Sequence, residues 1–416
     1  MHGRLVMPVM SLLGLVACAP GAAAPAAQAP EAERNTVRPG LEVLLADSAH
    51  LVRGRRVGLV TNHTGLDGAG VHGVERLRGA GVNLVALFSP EHGFRGAAAP
   101  GAAIGSVVDS ATGIPIYSLY GRTVSPTDSM LQGIDVLLVD LQDVGARYYT
   151  YVSTAVKVLE AAAPRRIPVV ILDRPNPIGS AVQGTVLEPA HRTFVGMLTV
   201  PMRHGMTMGE LVRYAQDDLD IRGVLHVVPV SGWRRTEPFD STGLPFVPPS
   251  PNLRSVESLF HYPGTTLFEG TNLSVGRGSD APFEQVGAPW LDTAAVLSRI
   301  RAAAPPGVSF RGVVFTPRTP GDGKYADTAL TGIRLTVTDR DAYNPSATAV
   351  RLLSAVLSVH GEQFGWIPAH FDRLAGTSAL RDALAAGADP DSIVAGWKPA
   401  LARFRERRRD YLIYPE

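Results

Sequence analysis

Four short, largely apolar runs, separated by segments with helical spacing, constrain the fold of this chain more than any other feature. The runs occupy residues 57–60, 82–88, 134–141 and 167–173. Strands that are apolar along their length and that alternate with helices are typical of a parallel sheet covered by helices on both faces. We therefore predict an α/β fold built on a Rossmann-like parallel sheet.

The sequence lacks the phosphate-binding motifs that often accompany such a sheet. It contains neither a Gly-x-Gly-x-x-Gly motif after the first run nor a Walker A segment, so we predict no nucleotide cofactor. The 39 basic residues nearly balance the 38 acidic ones. This balance excludes a bulk electrostatic attraction to nucleic acid.

Several histidines and aspartates are of the types that hold metal ions, namely His63, His92, His204, Asp140 and Asp143. Their spacing matches none of the usual patterns, such as His-Glu-x-x-His on a helix. We predict no metal site and no other cofactor.

The character of the sequence changes after about residue 233. A proline-rich stretch is followed by two β-like runs and two helical stretches, at residues 308–317, 330–339, 346–358 and 378–409. Short strands mixed with helices indicate an α+β unit. We predict a Rossmann-like catalytic domain over residues 39–261 and a smaller α+β domain over residues 262–416.

Residues 1–18 resemble a bacterial lipoprotein signal peptide. Arg4 supplies a positive charge, residues 5–16 are too few to span a bilayer as a helix, and the segment ends at Cys18, the one cysteine of the chain. The resemblance implies lipidation of Cys18, and an ordinary secretory signal with an incidental cysteine is the alternative. Residues 19–38, rich in Ala and Pro, are expected to be a flexible tether.

These features predict a lipid-anchored protein of the cell envelope that faces the periplasm or the extracellular side. Such a protein would contact the membrane through its anchor only. A single cysteine also excludes a framework of disulfides within the chain.

Polar side chains follow each of the four apolar runs. They are Asn62 and His63; Glu91 and His92; Asp140 and Asp143; and Asp173, Arg174 and Asn176. In open parallel sheets, ligands bind outside the carboxyl ends of the strands. We therefore expect these groups to converge on one groove.

Glu91 belongs to the segment Leu-Phe-Ser-Pro-Glu-His-Gly-Phe-Arg-Gly at residues 87–96. Ser89 and Pro90 form a suitable helix start, in which Glu91 would favour the helix dipole. The glycines at 93 and 96 disfavour a continuing helix. A structural role and a catalytic role for Glu91 both stay open on this pattern.

Two further segments carry candidate binding residues. Arg203 and His204 precede a predicted helix that starts at Thr207 with a capping box. The irregular loop at residues 267–278 exposes polar side chains among glycines. The full set of candidate binding residues is Asn62, His63, His92, Arg147, Tyr149, Arg203, His204, Asn272, Arg277 and Glu284.

Eight ordered segments resemble the NamZ (YbbC-like) family of exo-β-N-acetylmuramidases of cell wall recycling. The resemblance extends from about residue 40 to the C-terminus, through residues 58–65, 87–96, 139–151, 171–179, 203–211, 244–253, 267–278 and 282–290. It implies a Rossmann-like N-terminal domain, a smaller C-terminal domain and an active-site cleft between them. It also implies a glycoside hydrolase that releases N-acetylmuramic acid (MurNAc) from the non-reducing end of peptidoglycan fragments such as MurNAc–GlcNAc. The family's proposed catalytic glutamate corresponds to Glu91.

Glycoside cleavage usually needs two carboxyl groups, one acting as acid and the other as base or nucleophile. We expect Glu91 to be the acid. The candidates for the second carboxylate are Asp140, Asp143, Glu269 and Glu284, and the acetamido group of the substrate is a further alternative. The lactyl carboxylate of MurNAc requires a cationic partner, for which Arg147, Arg203 and Arg277 are the candidates.

Two other functions stay open on sequence alone. One is a non-catalytic lipoprotein that binds muropeptides, and the other is a metal-dependent peptidoglycan amidase or deacetylase. Release of free MurNAc would distinguish hydrolysis from binding, and inactivation by a chelator would indicate a metal enzyme.

Overall fold

Branched apolar residues form the strands of this protein, and helix-starting residues precede several of its helices. In the computed structural model, the described strands are β1 (Arg56–Thr61), β2 (Asn83–Ser89), β3 (Val107–Val108), β4 (Pro115–Ser118), β5 (Val136–Asp140), β6 (Val169–Leu172), β7 (Gln183–Val186), β8 (Pro201–Arg203), β9 (Leu225–Val228), β10 (Gln285–Ala288), β11 (Val308–Phe315) and β12 (Leu330–Val337).

The described helices are α1 (Gly40–Asp47), α2 (Gly73–Gly79), α3 (Asp128–Leu131), α4 (Tyr151–Ala162), α5 (Met208–Asp218), α6 (Val256–Thr265), α7 (Thr293–Ala302), α8 (Pro345–His360), α9 (Pro368–Ala375), α10 (Ala379–Ala385), α11 (Pro390–Gly396) and α12 (Lys398–Arg408). The predicted capping box at the start of α5 is confirmed, because Thr207 and Glu210 cap each other's backbone.

The structure describes residues 1–5, 36–96, 98, 101–102 and 105–416. Cys18, and most of the predicted signal peptide and tether, lie outside these residues. Thr36–Glu416 form one compact unit. Within the described part of the chain, no helix combines the length and the apolar character needed to cross a membrane.

The predicted parallel sheet is confirmed. It has seven strands in the order β3-β4-β2-β1-β5-β6-β9, and β1 lies at its centre, parallel to both β2 and β5. The four apolar runs form its four central neighbouring strands. Because these strands are parallel, their carboxyl ends meet at one edge, and Thr61 pairs directly with Asp140 there.

Three strands of this sheet were not predicted. β4 pairs parallel with β2, β3 pairs antiparallel with β4, and β9 closes the other edge beside β6. Each of them is short, and half or more of its residues are not fully buried. Strands at or next to the edge of a sheet are less buried than central strands, so they need no continuous apolar run, and the sequence pattern did not reveal these three.

The C-terminal half contains a three-stranded antiparallel sheet in the order β10-β12-β11, so both predicted β-like runs are strands. The predicted helix at 346–358 corresponds to α8, whereas 378–409 contains three separate helices, α10 to α12. Prolines lie in the first turns of α11 and α12, where a missing N–H is tolerated but a continuing helix is not.

A continuous hydrophobic core extends from Val60 in β1 to Phe404 in α12. The predicted domain boundary at residue 262 falls within α6. The division into domains therefore stays a prediction.

One close approach in the C-terminal half holds two segments together. Gly270 ends a 3₁₀ turn, Thr266–Gly270, which packs on α9. A Cβ atom at Gly270 would lie 2.5 Å from the Cα atom of Phe371, so a larger residue would force the turn away from α9.

Candidate active site

Glu91 is placed by the abrupt end of β2. The strand stops at Ser89, and Pro90 prevents further pairing because it has no backbone N–H. His92 then adopts a left-handed conformation, with φ of 69°, which is uncommon for a residue other than glycine. The chain therefore turns sharply at the carboxyl edge of the sheet, and no helix starts at Ser89.

The carboxylate of Glu91 accepts hydrogen bonds from neutral donors. The backbone N–H of Gly101 donates to Oε1 at 3.0 Å, and the hydroxyl of Thr150 donates to Oε2 at 2.8 Å. Tyr120 lies beside the same carboxylate. Burial, together with the charge of Glu91, raises the pKa of Tyr120 to about 12, so its hydroxyl keeps its proton at neutral pH.

Glu91 lines an open cavity of about 770 Å³, open solvent included. Acidic, basic and aromatic side chains share its wall. The lining residues are Glu91, His92, Tyr120, Tyr148, Tyr149, Thr150, Val195, Ser250, Leu253, Tyr262, Thr266, Glu269, Arg277, Phe283, His370, Arg373 and Leu374.

A second carboxylate, that of Glu269, lines the same cavity. Arg277 Nε lies 2.5 Å from Glu269 Oε1, and the two side chains are 12% and 13% exposed. The guanidinium of Arg277 also stacks over the ring of Phe283 at 4.9 Å. The pair thus presents a fixed carboxylate and a fixed cation to the cavity.

His92 contributes a neutral imidazole. Its Nδ1 lies 2.9 Å from the carbonyl oxygen of Ala98. Because a carbonyl can only accept, the ring donates from Nδ1. Burial lowers the pKa of His92, which favours this neutral form at physiological pH.

Two tyrosines that immediately precede α4 and one from α6 form the aromatic part of the wall. The hydroxyl of Tyr149 donates to the carbonyl oxygen of Pro249 at 2.7 Å, and the rings of Tyr148 and Tyr149 both pack edge-on against Tyr262. These nearly buried rings give this part of the cavity wall an apolar surface.

Five of the candidate residues from the sequence line the cavity. Of the catalytic candidates, Glu91 and Glu269 meet there although they are far apart in the chain. Of the binding candidates, His92, Tyr149 and Arg277 join them.

Asp140 and Asp143 lie outside this cavity. Asp140 is fully buried and pairs with Arg174 at 2.6 Å. Asp143 accepts a hydrogen bond from the N–H of Gly145 at 2.8 Å, and burial raises its pKa to about 7. Both follow the same sheet edge as Glu91, but they point into the protein interior.

Arg147 and Arg203 are buried and have structural partners. Arg147 donates to the carbonyls of Thr185, Val200 and Leu374. Arg203 donates to the side chain of Gln183 and to the carbonyl of Ile178. Neither guanidinium lines the cavity, so of the three predicted carboxylate partners only Arg277 does.

The remaining binding candidates also have structural roles outside the cavity. Their partners are Tyr151 for Asn62, the carbonyl of Pro248 for His63, the backbone N–H of Met206 for His204, the carbonyl of Gln363 for Asn272, and the cap residue Ser255 for Glu284. Asn62 nevertheless supports the site, since the hydroxyl of its partner Tyr151 lies 3.4 Å from the backbone oxygen of Glu91.

The main residues that sequence reasoning missed are Tyr120, Tyr262, His370 and Arg373. Tyr120 follows β4, so the rule that sites form at carboxyl ends of strands would have found it if that short strand had been predicted. His370 and Arg373 lie on α9, a helix between the two predicted helical stretches. Only tertiary packing brings α9 to the cavity.

Among the described residues, no group of three or more His, Cys, Asp or Glu side chains is arranged to hold a metal ion.

Comparisons with known proteins show to which family the chain is similar. A family model for the N-terminal part of the exo-beta-N-acetylmuramidase NamZ matches residues 57–257. A second family model, for the C-terminal part, matches residues 260–414. The chain is 40% identical over 395 residues to the peptidoglycan beta-N-acetylmuramidase NamZ of Bacillus subtilis (strain 168), covering 94% of this chain and 95% of that protein.

Two crystal structures of DUF1343 family proteins from Bacteroides fragilis NCTC 9343 share the fold. Both are 32% identical to this chain, with TM-scores of 0.84 and 0.74. The matches cover 92% and 91% of this chain and 100% and 99% of those proteins. With both family models matched and the relative aligned along nearly its whole length, the chain belongs to the NamZ family of exo-beta-N-acetylmuramidases.

Proposed function

We propose that the cavity around Glu91 is the active site at which this glycoside hydrolase releases a terminal MurNAc residue from the non-reducing end of peptidoglycan fragments such as MurNAc–GlcNAc. The observation that carries the proposal is the presence of two carboxylates, Glu91 and Glu269, on the wall of one cavity. The two residues are far apart in the sequence, so they meet only in the folded protein. A pair of carboxyl groups is the usual requirement for glycoside hydrolysis.

The contacts of the two carboxylates support different roles. Glu269 is held by the guanidinium of Arg277, whereas Glu91 accepts hydrogen bonds from the neutral donors Gly101 and Thr150. We assign the role of the acid to Glu91, because Glu269 is already engaged in an ion pair. In this mechanism Glu91 protonates the glycosidic oxygen as the bond from C1 of MurNAc to that oxygen breaks.

Glu269 is the second carboxylate of the proposed reaction. Positive charge develops on the sugar ring in the transition state, and a carboxylate fixed at the cavity wall stabilises it electrostatically. A water molecule supplies the new hydroxyl at C1, and one of its protons replaces the proton that Glu91 donated.

The test of this function is a product analysis with matched variants. The purified chain is incubated with MurNAc–GlcNAc beside the Glu91→Gln and Asp140→Asn variants, and the sugars released are separated and identified. We expect free MurNAc and GlcNAc from the unmodified chain. Glu91→Gln should lower kcat by about 10³-fold or more, since it keeps the shape of the side chain but has no acidic proton.

The outcomes separate the alternatives. Turnover of Glu91→Gln at a near-normal rate would remove Glu91 from catalysis. Binding of the disaccharide without release of either sugar would favour a muropeptide-binding protein. Asp140→Asn probes a fully buried carboxylate outside the cavity, so its effect should be on stability, with kcat of the folded fraction retained.

We propose in addition that the chain acts from a lipid anchor at the cell envelope, where wall fragments of this kind arise. The support is the N-terminal sequence, with Arg4, the apolar residues 5–16 and Cys18, in the order typical of lipoprotein signals. A Cys18→Ser variant should lose incorporation of labelled fatty acid and move from the membrane fraction to the soluble fraction. Unchanged membrane association of this variant would contradict lipidation at Cys18.

A further inference from the structure

The face of α9 that borders the cavity carries two donors that the proposed catalytic step leaves unused. His370 and Arg373 are three residues apart on this helix, so they lie on the same face, and both line the cavity. Arg373 Nη2 lies 3.0 Å from His370 Nδ1. Because a guanidinium can only donate, Nδ1 accepts this hydrogen bond, and the neutral imidazole carries its proton on Nε2.

The charge of Arg373 lacks a compensating partner in the part of the chain that the structure describes. The hydrogen bond of its guanidinium there goes to the neutral ring of His370, and its buried Nε atom has no hydrogen-bond partner. Arg277, the other arginine of the cavity, is already paired with Glu269. A half-buried cation without a counter-ion is less well stabilised than a paired one, and a negatively charged ligand would compensate its charge.

Arg373 lies close to the reacting end of the cavity. Burial and the charge of Glu91 raise the pKa of Tyr120, and the charge of Arg373 opposes this rise. Both charged groups therefore lie near the same hydroxyl. An anion held by Arg373 would belong to the sugar whose glycosidic bond Glu91 protonates, not to a distant part of the glycan.

The helix that carries both donors is firmly fixed. Arg147 donates to the carbonyl of Leu374 at 2.8 Å, the hydroxyl of Thr185 donates to the carbonyl of Ala375, and Gly270 packs directly on Phe371. These contacts hold α9 at both ends of the donor pair. A preorganised pair of donors loses little freedom when an anion binds.

We propose that Arg373 and the Nε2–H group of His370 form the subsite for the lactyl carboxylate of the terminal MurNAc, and that this subsite selects MurNAc over GlcNAc. The inference rests on the proposed function, because it assigns a group of that substrate. A terminal GlcNAc has no lactyl carboxylate and would leave the charge of Arg373 uncompensated. Binding of a terminal GlcNAc would then be disfavoured both by the unpaired charge of Arg373 and by the loss of the contact with the carboxylate.

The experiment compares a charged substrate with its neutral analogue. 4-Nitrophenyl β-MurNAc and its lactyl methyl ester are offered to the unmodified chain, to Arg373→Gln, to Arg373→Lys and to the control Arg299→Gln, which alters an exposed arginine on α7. We expect the unmodified chain and the control to favour the acid over the ester by about 10- to 150-fold in kcat/KM, the range for a hydrogen bond to a charged group. Arg373→Gln should lose this preference mainly through activity on the acid, and Arg373→Lys should keep part of it.

The outcomes distinguish failure of the subsite from failure of the proposed function. If the unmodified chain releases nitrophenol from neither substrate, and no sugar from MurNAc–GlcNAc, the proposed function fails. If it cleaves the acid and the ester equally well, the subsite is wrong, whatever the variants do. A folded Arg373→Gln variant that keeps the full preference for the acid also overturns it.

Discussion

The ammonium group of Lys324 lies 2.6 Å from the carbonyl oxygen of Thr271 and reaches three more carbonyls in the segment 268–273. The distances from Nζ to the oxygens of Phe268, Glu269 and Leu273 are 3.4, 3.0 and 3.0 Å. The ammonium group of one side chain thus binds four backbone carbonyls around Glu269 and fixes the conformation of this segment. Tyr325 adds a hydrogen bond to the carbonyl of Asn272 at 2.6 Å.

Replacing Lys324 by Met should disturb the site without touching the cavity wall. Met keeps much of the side-chain volume but leaves buried carbonyls without a donor, so we expect a loss of about 1–3 kcal/mol in the free energy of unfolding. Because the turn also positions Glu269, kcat should fall about 10-fold or more. Denaturant unfolding and steady-state kinetics would measure both effects.

The control for this prediction is Lys398→Met, which alters an exposed lysine at the start of α12. It should change neither quantity appreciably. Unaltered kinetics for Lys324→Met would show that the position of Glu269 does not depend on the hydrogen bonds from Lys324 to these carbonyls.

Separating Glu269 from its cation should impair catalysis strongly. In Arg277→Met the carboxylate stays in a largely enclosed place without its charged partner, and a fixed electrostatic contribution of this kind is worth about 10²- to 10³-fold in rate. Kinetics on MurNAc–GlcNAc would measure the loss. Arg318→Met, which breaks an ion pair with side chains 70% and 68% exposed, should have little effect, because exposed pairs contribute about 0–1 kcal/mol.

Removing the hydroxyl of Tyr120 should lower the rate modestly. Tyr120→Phe deletes a neutral donor beside Glu91 while keeping the ring, and one such hydrogen bond corresponds to roughly a 5- to 10-fold change. The pH profile of kcat would show whether the acidic limb moves as well. A rate equal to that of the unmodified chain would place the hydroxyl outside the reaction.

The buried Asp143 predicts a pH dependence of stability. Burial raises its pKa from 3.8 to about 7, so between these values the native state holds a proton that the unfolded state has released. The contribution is fully present below pH 3.8 and is lost as the pH rises to about 7. Asp173, with a pKa raised by burial to about 6, acts in the same direction.

Asp143→Asn should therefore make the melting temperature depend less on pH between about 4 and 7. The slope should be reduced and not abolished, because Asp173 remains. Thermal unfolding at several pH values would test this, and kcat of the folded variant should be retained. An unchanged slope would mean that Asp143 is not protonated in the native state.

The local sequence determined the architecture and one half of the proposed catalytic pair. Continuous apolar runs can be buried only in a strand covered on both faces, and the end of each run marks where polar groups emerge, so the central sheet and Glu91 were predictable. Short strands near the sheet edge, such as β4, bury too little to leave such a pattern, and Tyr120 was missed with it. The lipid anchor, too, rests on local sequence alone.

Tertiary structure alone decided which polar groups share a cavity. Asp140 and Asp143 emerge at the same sheet edge as Glu91, yet they point inward, and Arg147 binds carbonyls instead of facing a ligand. Glu269 and Arg373 come from segments more than a hundred residues away, and contacts such as Gly270 on Phe371 bring them to the cavity. Side-chain direction and long-range packing depend on the whole core, and no local spacing encodes them.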